Sequence, residues 1–469
     1  MMKNNIYNLS AILIVSALSV MAFYYGEKVH SSFIRADEWR FLEIYLMPIY
    51  DGTFFWKNLF ADVHGNFLDG ILFIANAVYF DLTGDLFFYV GIISKILIFV
   101  LFAIVLKNNF VDKPNYYIFA LLIIGTAFFS LKGTVEYQWP LVTRVYLFIL
   151  MFLSVLYFLD KYLKSNLRSL TILLSILTIS FLLLLSIKTA GLILLGSLIG
   201  LLFILSMIDT EKRIKFFDLI GILILAIVLI KISWTLLSLD TSNEVSNKIN
   251  LNTFSIASFI ESYALALFSG LIRIEIFVKD FTMSTVLVFA YIYLMVYFIT
   301  IFYSIKLKTY TKTIIPLALM FYPLLFILGV LLYRYSPVTG QINWFVASPR
   351  YFSTYELGLI GLLWNLLLIF YGLKTDKFKS IIFYFLGFFF ILVNIHYMDY
   401  SFKTSRSFIK AFSNADEKLY HYTGDQASLP KWLKGGSFSD EKVEFLKENN
   451  LNVFNDKYNF KKNKQKLEN

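Results

Sequence analysis

The 469-residue chain contains no cysteine. Disulfide scaffolds, thiolate nucleophiles and cysteine-bound metals are thereby excluded. An extracytoplasmic location is allowed but not argued for. Histidine is nearly as scarce: His30, His64, His396 and His421 are the full set, too few for a multi-histidine site. The short alternating strands of a membrane β-barrel are missing. No internal repeat is visible, and repeats are what many transporter folds carry.

Apolar sequence fills the chain instead. Hydrophobic residues make up 58% of it and the mean hydropathy is +0.68, whereas soluble domains are roughly 45–50% apolar. Runs long enough to span a bilayer recur throughout, which predicts an all-α polytopic membrane protein. The net charge of +10 sits largely in short loops between these runs. There it acts as a topology determinant and not as a nucleic-acid surface.

Eleven spans are expected, at about 7–26, 85–107, 115–132, 141–160, 169–187, 190–208, 217–239, 282–304, 314–333, 353–372 and 380–398. The first run ends without a small-x-small site and is read as an uncleaved helix. The apolar stretch 169–207 is too long for one helix of about 20 residues, so a turn at Lys188 divides it. Segments 66–82 and 254–279 read as amphipathic helices lying at the interface. With the N-terminus inside, every inner loop is basic: Lys107 and Lys113; Lys161, Lys164 and Arg168; Lys212, Arg213 and Lys215; Lys306, Lys308 and Lys312; Lys374, Lys377 and Lys379. The loop 27–84, KGTVEYQWP, the 240–280 segment, RYSPVTGQINWFVASPRY and the tail then share the outer face. This gives a transmembrane domain over 1–398 and an extracytoplasmic tail over 399–469.

The stretch 33–66 organises this map. It carries Asp37 and Glu38 side by side, then Asp51, Asp62 and His64, among Trp39, Phe41, Tyr45, Phe55, Trp56 and other aromatics. Acidic groups among half-buried aromatics suit proton abstraction beside a lipid surface. The competing reading makes Asp37 and Glu38 solvated charges paired with Arg35 and Arg40.

A first helix, a long outer loop with an acidic pair and an interfacial helix before the second span resemble the GT-C class of membrane glycosyltransferases. The DEW sequence around Asp37, the pattern His64-Gly65-Asn66, the late loop ending Ser348-Pro349-Arg350-Tyr351 and the closing FLKENNLNVF are similar to bacterial GT-C-like proteins tied to surface polysaccharide. The first loop lacks the Lys-Pro-Pro of some branches. The resemblance implies a GT-C-like helical bundle in a bacterial cytoplasmic membrane. It also implies inverting transfer of a sugar from a polyprenyl-phosphate carrier to a glycan or lipid-linked acceptor. The implied partners are that donor, that acceptor and membrane lipid.

Glycosidic bond formation needs a base to take the acceptor proton, and a carboxylate serves. Asp37 is the first candidate and Glu38 the second. Charge develops on the leaving phosphate, which arginine meets bidentately. Arg350 is the candidate there, with Tyr351 as a further donor. Gln138 and Trp139, with Glu136, suit a sugar pocket, Trp139 equally as an interfacial anchor; His64 suits acceptor orientation, and Asn66 beside it is a substrate-binding candidate. Arg144, Lys132 and Lys188 lie near outer ends of spans, where snorkelling to headgroups is the competing reading. Arg144 and Lys188 are kept as substrate-binding candidates. No cofactor follows firmly; some GT-C branches bind a divalent cation through carboxylates, and Asp62 would then join His64. Lys95 and Lys231, inside spans, are read as structural. The tail predicts one short helix packing back by its apolar side, followed by a basic, disordered end. Two other readings stay open: a polysaccharide polymerase, and a flippase or transporter of lipid-linked glycans.

Overall fold

Long apolar runs form helices here because only a helix satisfies every backbone group within its own segment. The computed structural model describes residues 2–31, 34–35, 38–60, 67–165, 169–236, 255–274, 281–334, 351–372, 377–434 and 437–455, and among them there is no strand. The helices in chain order are α1 (Met2–Val29), α2 (Phe67–Phe80), α3 (Asp85–Asn109), α4 (Pro114–Phe128) and α5 (Thr134–Gln138). Then come α6 (Val145–Lys164), α7 (Leu170–Ser186), α8 (Lys188–Ile208), α9 (Arg213–Leu236) and α10 (Ile256–Ser269). The last five are α11 (Met283–Lys306), α12 (Ile315–Arg334), α13 (Phe352–Gly372), α14 (Lys377–Tyr420) and α15 (Asp440–Glu448).

Eight stretches among the described residues are long and apolar enough to cross a membrane: Ile6–Val29, Asp85–Asn109, Pro140–Lys164, Ala190–Ile208, Arg213–Thr235, Met283–Lys306, Phe352–Gly372 and Tyr384–Tyr420. Their outward faces are apolar, with Ile12, Val20, Met207, Phe302, Phe385 and Phe389 exposed. Such a belt is a liability in water and a solvated surface in lipid. The protein is a polytopic helical membrane protein. The expected spans at 115–132, 169–187 and 314–333 fall on α4, α7 and α12. The first two have 15 and 17 residues, and α12 carries Pro323 in its interior.

Two elements show packing or length that the sequence pattern does not. The segment at 254–279 was expected to lie on the membrane surface. Its helix, α10, has its second half buried from Ala264 to Ser269 against α11, α12 and α13. Its small residues allow this: a Cβ at Gly270 would stand 2.6 Å from the Tyr355 carbonyl oxygen. The second difference is α14. The expected boundary at 398 falls inside one continuous 44-residue helix, about 66 Å long. No proline or glycine follows Gly387 on it to stop it.

That extension carries the tail back over one end of the bundle. A second hydrophobic core forms there, separate from the core between the membrane helices. Ile34, Trp39, Phe41, Leu42 and Tyr45 of the first loop and Phe73 of α2 meet Ala415, Leu419, Leu433, Leu446 and Val453 of the tail. Ser439 caps α15, its hydroxyl accepting from the Lys442 N–H. Asn452 then closes the module: Nδ2 donates to the Leu82 carbonyl at 2.6 Å and its backbone N–H to Asp81 O at 2.8 Å. Asp81 and Leu82 both take positive φ, 49° and 63°, so this turn gains from being held. The basic segment after 455 lies outside the described residues.

Candidate functional site

Directly beneath this cap, the chain between α4 and α6 does not run as a helix. Leu131 takes a positive φ of 56°. α5 then makes five residues, Trp139 is extended, and a four-residue turn from Pro140 leads into α6. Interrupted backbone survives in a membrane protein only where protein or water satisfies it. Here Ser31 donates its backbone N–H and its Oγ–H to the Gln138 carbonyl at 3.0 and 2.9 Å. Ser401 of α14 donates to the Leu131 carbonyl at 3.1 Å. Gly91 lets α3 close on this segment, since a Cβ there would clash with the Thr143 carbonyl oxygen.

On the cap side lies Glu38. It is buried, and its Oε2 accepts from the Arg35 backbone N–H at 2.8 Å. Burial raises its pKa to about 7, against the favourable Arg35 N–H and guanidinium, Trp139 and Arg144. The Trp139 indole favours the charged carboxylate without closing a full hydrogen bond. Arg35 is itself buried, its guanidinium 5.1 Å from the Trp139 ring centre, 5.3 Å from Phe412 and 5.9 Å from Trp432. Burial lowers its pKa to about 10, with Glu38 opposing. Arg144 is turned toward Asp69 of α2: Nη2 donates to Oδ2 at 2.6 Å and Nε lies 2.6 Å from Oδ1.

On the bundle side lies a second set. Lys95 Nζ donates to the Tyr146 hydroxyl at 2.6 Å, and Tyr146 donates to Glu136 Oε2. Glu356 Oε2 lies 3.8 Å from Lys95 Nζ. The lysine also sits 4.3 Å from the Tyr146 ring centre and 4.8 Å from that of Phe128. All four polar residues are buried.

Among the described residues, Gln138 Nε2 of α5 is a buried polar atom with no hydrogen-bond partner, and Glu136 Oε1 and Tyr137 OH beside it close no full hydrogen bond, although Ser353 acts on Glu136 and Lys95 on Tyr137. Tyr25 OH, whose ring meets Tyr137 edge-on at 5.5 Å between centres, also closes no hydrogen bond among the described residues. Native interiors leave few such atoms, so a group of them marks a place for water or ligand.

The structure therefore brings together Glu38, Gln138, Trp139 and Arg144 around α5. Glu38 is not a solvated charge, and Arg144 does not snorkel. Tyr351 is half-buried, its ring against Phe326 at 5.5 Å between centres. Asp37, His64, Asn66 and Arg350 lie outside the described residues, as does Asp62. Lys188 opens α8 at the break after Ser186, and its side chain is outside the described set. Among the described residues no three His, Asp or Glu side chains gather as metal ligands. Sequence reading passed over Glu356 and Asp69 and set Lys95 aside. The signal for Lys95 and Glu356 was present: each is a charge inside an otherwise apolar run. Compared with protein-family models, curated proteins and solved structures, the chain matches none.

Proposed function

We propose that this chain is a membrane glycosyltransferase that moves a sugar from a polyprenyl-phosphate carrier to a glycan or lipid-linked acceptor. The observation that carries the reading is Glu38. A carboxylate buried among aromatics, with Arg35 and Arg144 close by, titrates near neutrality. That is the range a general base needs to take a hydroxyl proton at physiological pH. Aromatic and amide groups at Trp139 and Gln138 beside it suit a sugar ring. On this reading Glu38 shares the base role with Asp37 or holds it alone. The eleven-span, GT-C-like arrangement with its cap outside a bacterial cytoplasmic membrane belongs to the same proposal, resting on the basic loops at the opposite end.

The test is sugar transfer in membrane preparations supplied with a lipid-linked donor. Glu38→Gln at normal expression should lose about 10²–10⁴ in rate. Asp37→Asn locates the base if it is the more damaging of the two. Wild-type transfer by both variants defeats the proposal.

A transporter of lipid-linked glycans is the second reading. Lys95, Glu136 and Glu356 favour it, because buried charges beside an interrupted helix are how transporters build midplane sites. Net movement of a labelled lipid-linked glycan in proteoliposomes, without new glycosidic bonds, would select it.

A further inference from the structure

Lys132 lies at the start of the interrupted segment, one residue past the positive-φ Leu131. A snorkelling lysine would send its ammonium out to the headgroups. This one is only 2% exposed. Its Nζ sits 5.5 Å from the Tyr397 ring centre and 5.8 Å from that of Phe390, both on α14. Glu356 acts on it electrostatically, but among the described residues no carboxylate comes within 4.0 Å of it. Among the described residues, then, this buried ammonium has ring faces beside it and no carboxylate in ion-pair contact, which favours an anion there.

The neighbouring groups are incomplete in a complementary way. Asn394 falls between Phe390 and Tyr397 at spacings of four and three, so all three share one face of α14. It is fully buried; its Nδ2 donates to the Phe390 carbonyl at 2.8 Å, which fixes the amide, and its Oδ1 has no partner. Glu356 Oε2, by contrast, already faces the Lys95 ammonium at 3.8 Å. Arg273, from the segment after α10, acts electrostatically on Tyr397 and on Tyr25. Lys132 and the Asn394 amide oxygen therefore lie against the same face of α14. Phe388, Phe389, Leu392 and Ile395 of α14 are exposed and apolar, so this place lies one side-chain layer in from lipid.

We propose that Lys132 anchors the phosphate of a lipid headgroup that enters from the bilayer beside α14, with Asn394 Oδ1 accepting from a P–OH or hydroxyl of the same headgroup. The site deepens the glycosyltransferase reading by giving a carrier phosphate its anchor. It is tested by binding and not by transfer, so the two can fail separately; a transporter would use the same anchor.

The experiment uses the purified full-length protein in nanodiscs of neutral lipid. A polyprenyl monophosphate is titrated in, and bound lipid is read by native mass spectrometry. The polyprenol without phosphate, phosphatidylglycerol and inorganic phosphate are the comparison probes. Wild type should bind the polyprenyl monophosphate at least about tenfold more tightly than the polyprenol, the scale of a charge-assisted hydrogen bond. Lys132→Met should remove that preference and Lys132→Arg should keep part of it. Asn394→Asp, which places a negative charge beside the lysine at constant shape, should weaken binding even if Lys132→Met does not fold. Equal competition by phosphatidylglycerol would keep the phosphate site and assign it to bulk lipid. Competition by inorganic phosphate at the same concentration would overturn the lipid part. Unchanged binding in folded Lys132→Met, or in Asn394→Asp, would overturn the whole.

Discussion

Lys442 and Glu43 stand 399 residues apart in the chain and 2.6 Å apart in space. The tail is thus a structural part of the first loop's module. The Trp39 indole N–H depends on it too, donating to the Leu433 carbonyl at 2.9 Å.

The ion pair itself should contribute little, because Glu43 is exposed. Glu43→Ala should cost less than about 1 kcal/mol. Asn452→Ala should cost about 1–3 kcal/mol, since it leaves the buried Leu82 carbonyl without its donor. Thermal unfolding in detergent separates the two. Equal effects would mean that Asn452 does not close the module.

Glu38 makes stability depend on pH. Its folded pKa, about 7, lies above the ordinary 4.5. The folded state therefore holds a proton that the unfolded state releases between those values. Glu38's contribution to stability should be full below pH 4.5, fall as pH rises toward 7, and level off above it. The total change is about 3 kcal/mol. Glu38→Gln should lack this slope, and a variant that keeps it would assign the effect elsewhere.

Tyr146 joins Lys95 to Glu136 through one hydroxyl. Tyr146→Phe should destabilise by about 1–3 kcal/mol through two buried groups that lose a partner. Lys95→Met should cost more, about 3–5 kcal/mol, because the carboxylates stay behind uncompensated. Adding Glu136→Gln to Lys95→Met should recover much of that loss. If the double variant is as unstable as the sum of the singles, the two residues are not coupled.

The proposed orientation makes its own prediction. A reporter active only in the cytoplasm, fused after the last residue, should be silent, because eleven crossings leave every basic loop inside. Activity there would add or remove a crossing, with α10 the first helix to re-examine.

The helices were legible because apolar runs and their loop charges are one-dimensional signals. The turn at Lys188 is visible in length alone, and the structure breaks there, between Ser186 and Lys188. The burial of α10 was not legible, since a short helix against α13 and one on a membrane surface share a pattern. The site was readable in pieces. Glu38, Gln138 and Trp139 stood out as polar groups among aromatics. The contacts of Arg144 with Asp69 and of Lys95 with Tyr146 pair residues 75 and 51 positions apart. No spacing rule reaches that far, and each residue alone resembled a headgroup contact or a structural charge.

The cap joins the two ends of the chain, and this sets a timetable. The Ile34 N–H faces the Asn452 side chain, 418 residues later. At roughly 5–20 residues per second of synthesis, that interval is roughly 20–85 s. Throughout it, Trp39, Phe41 and Leu42 lack the tail half of their core. A ribosome that stalls or a message that ends early would leave a membrane-inserted protein with an aromatic surface uncovered. Quality control could recognise such a product by that one feature, even when every helix before it is sound.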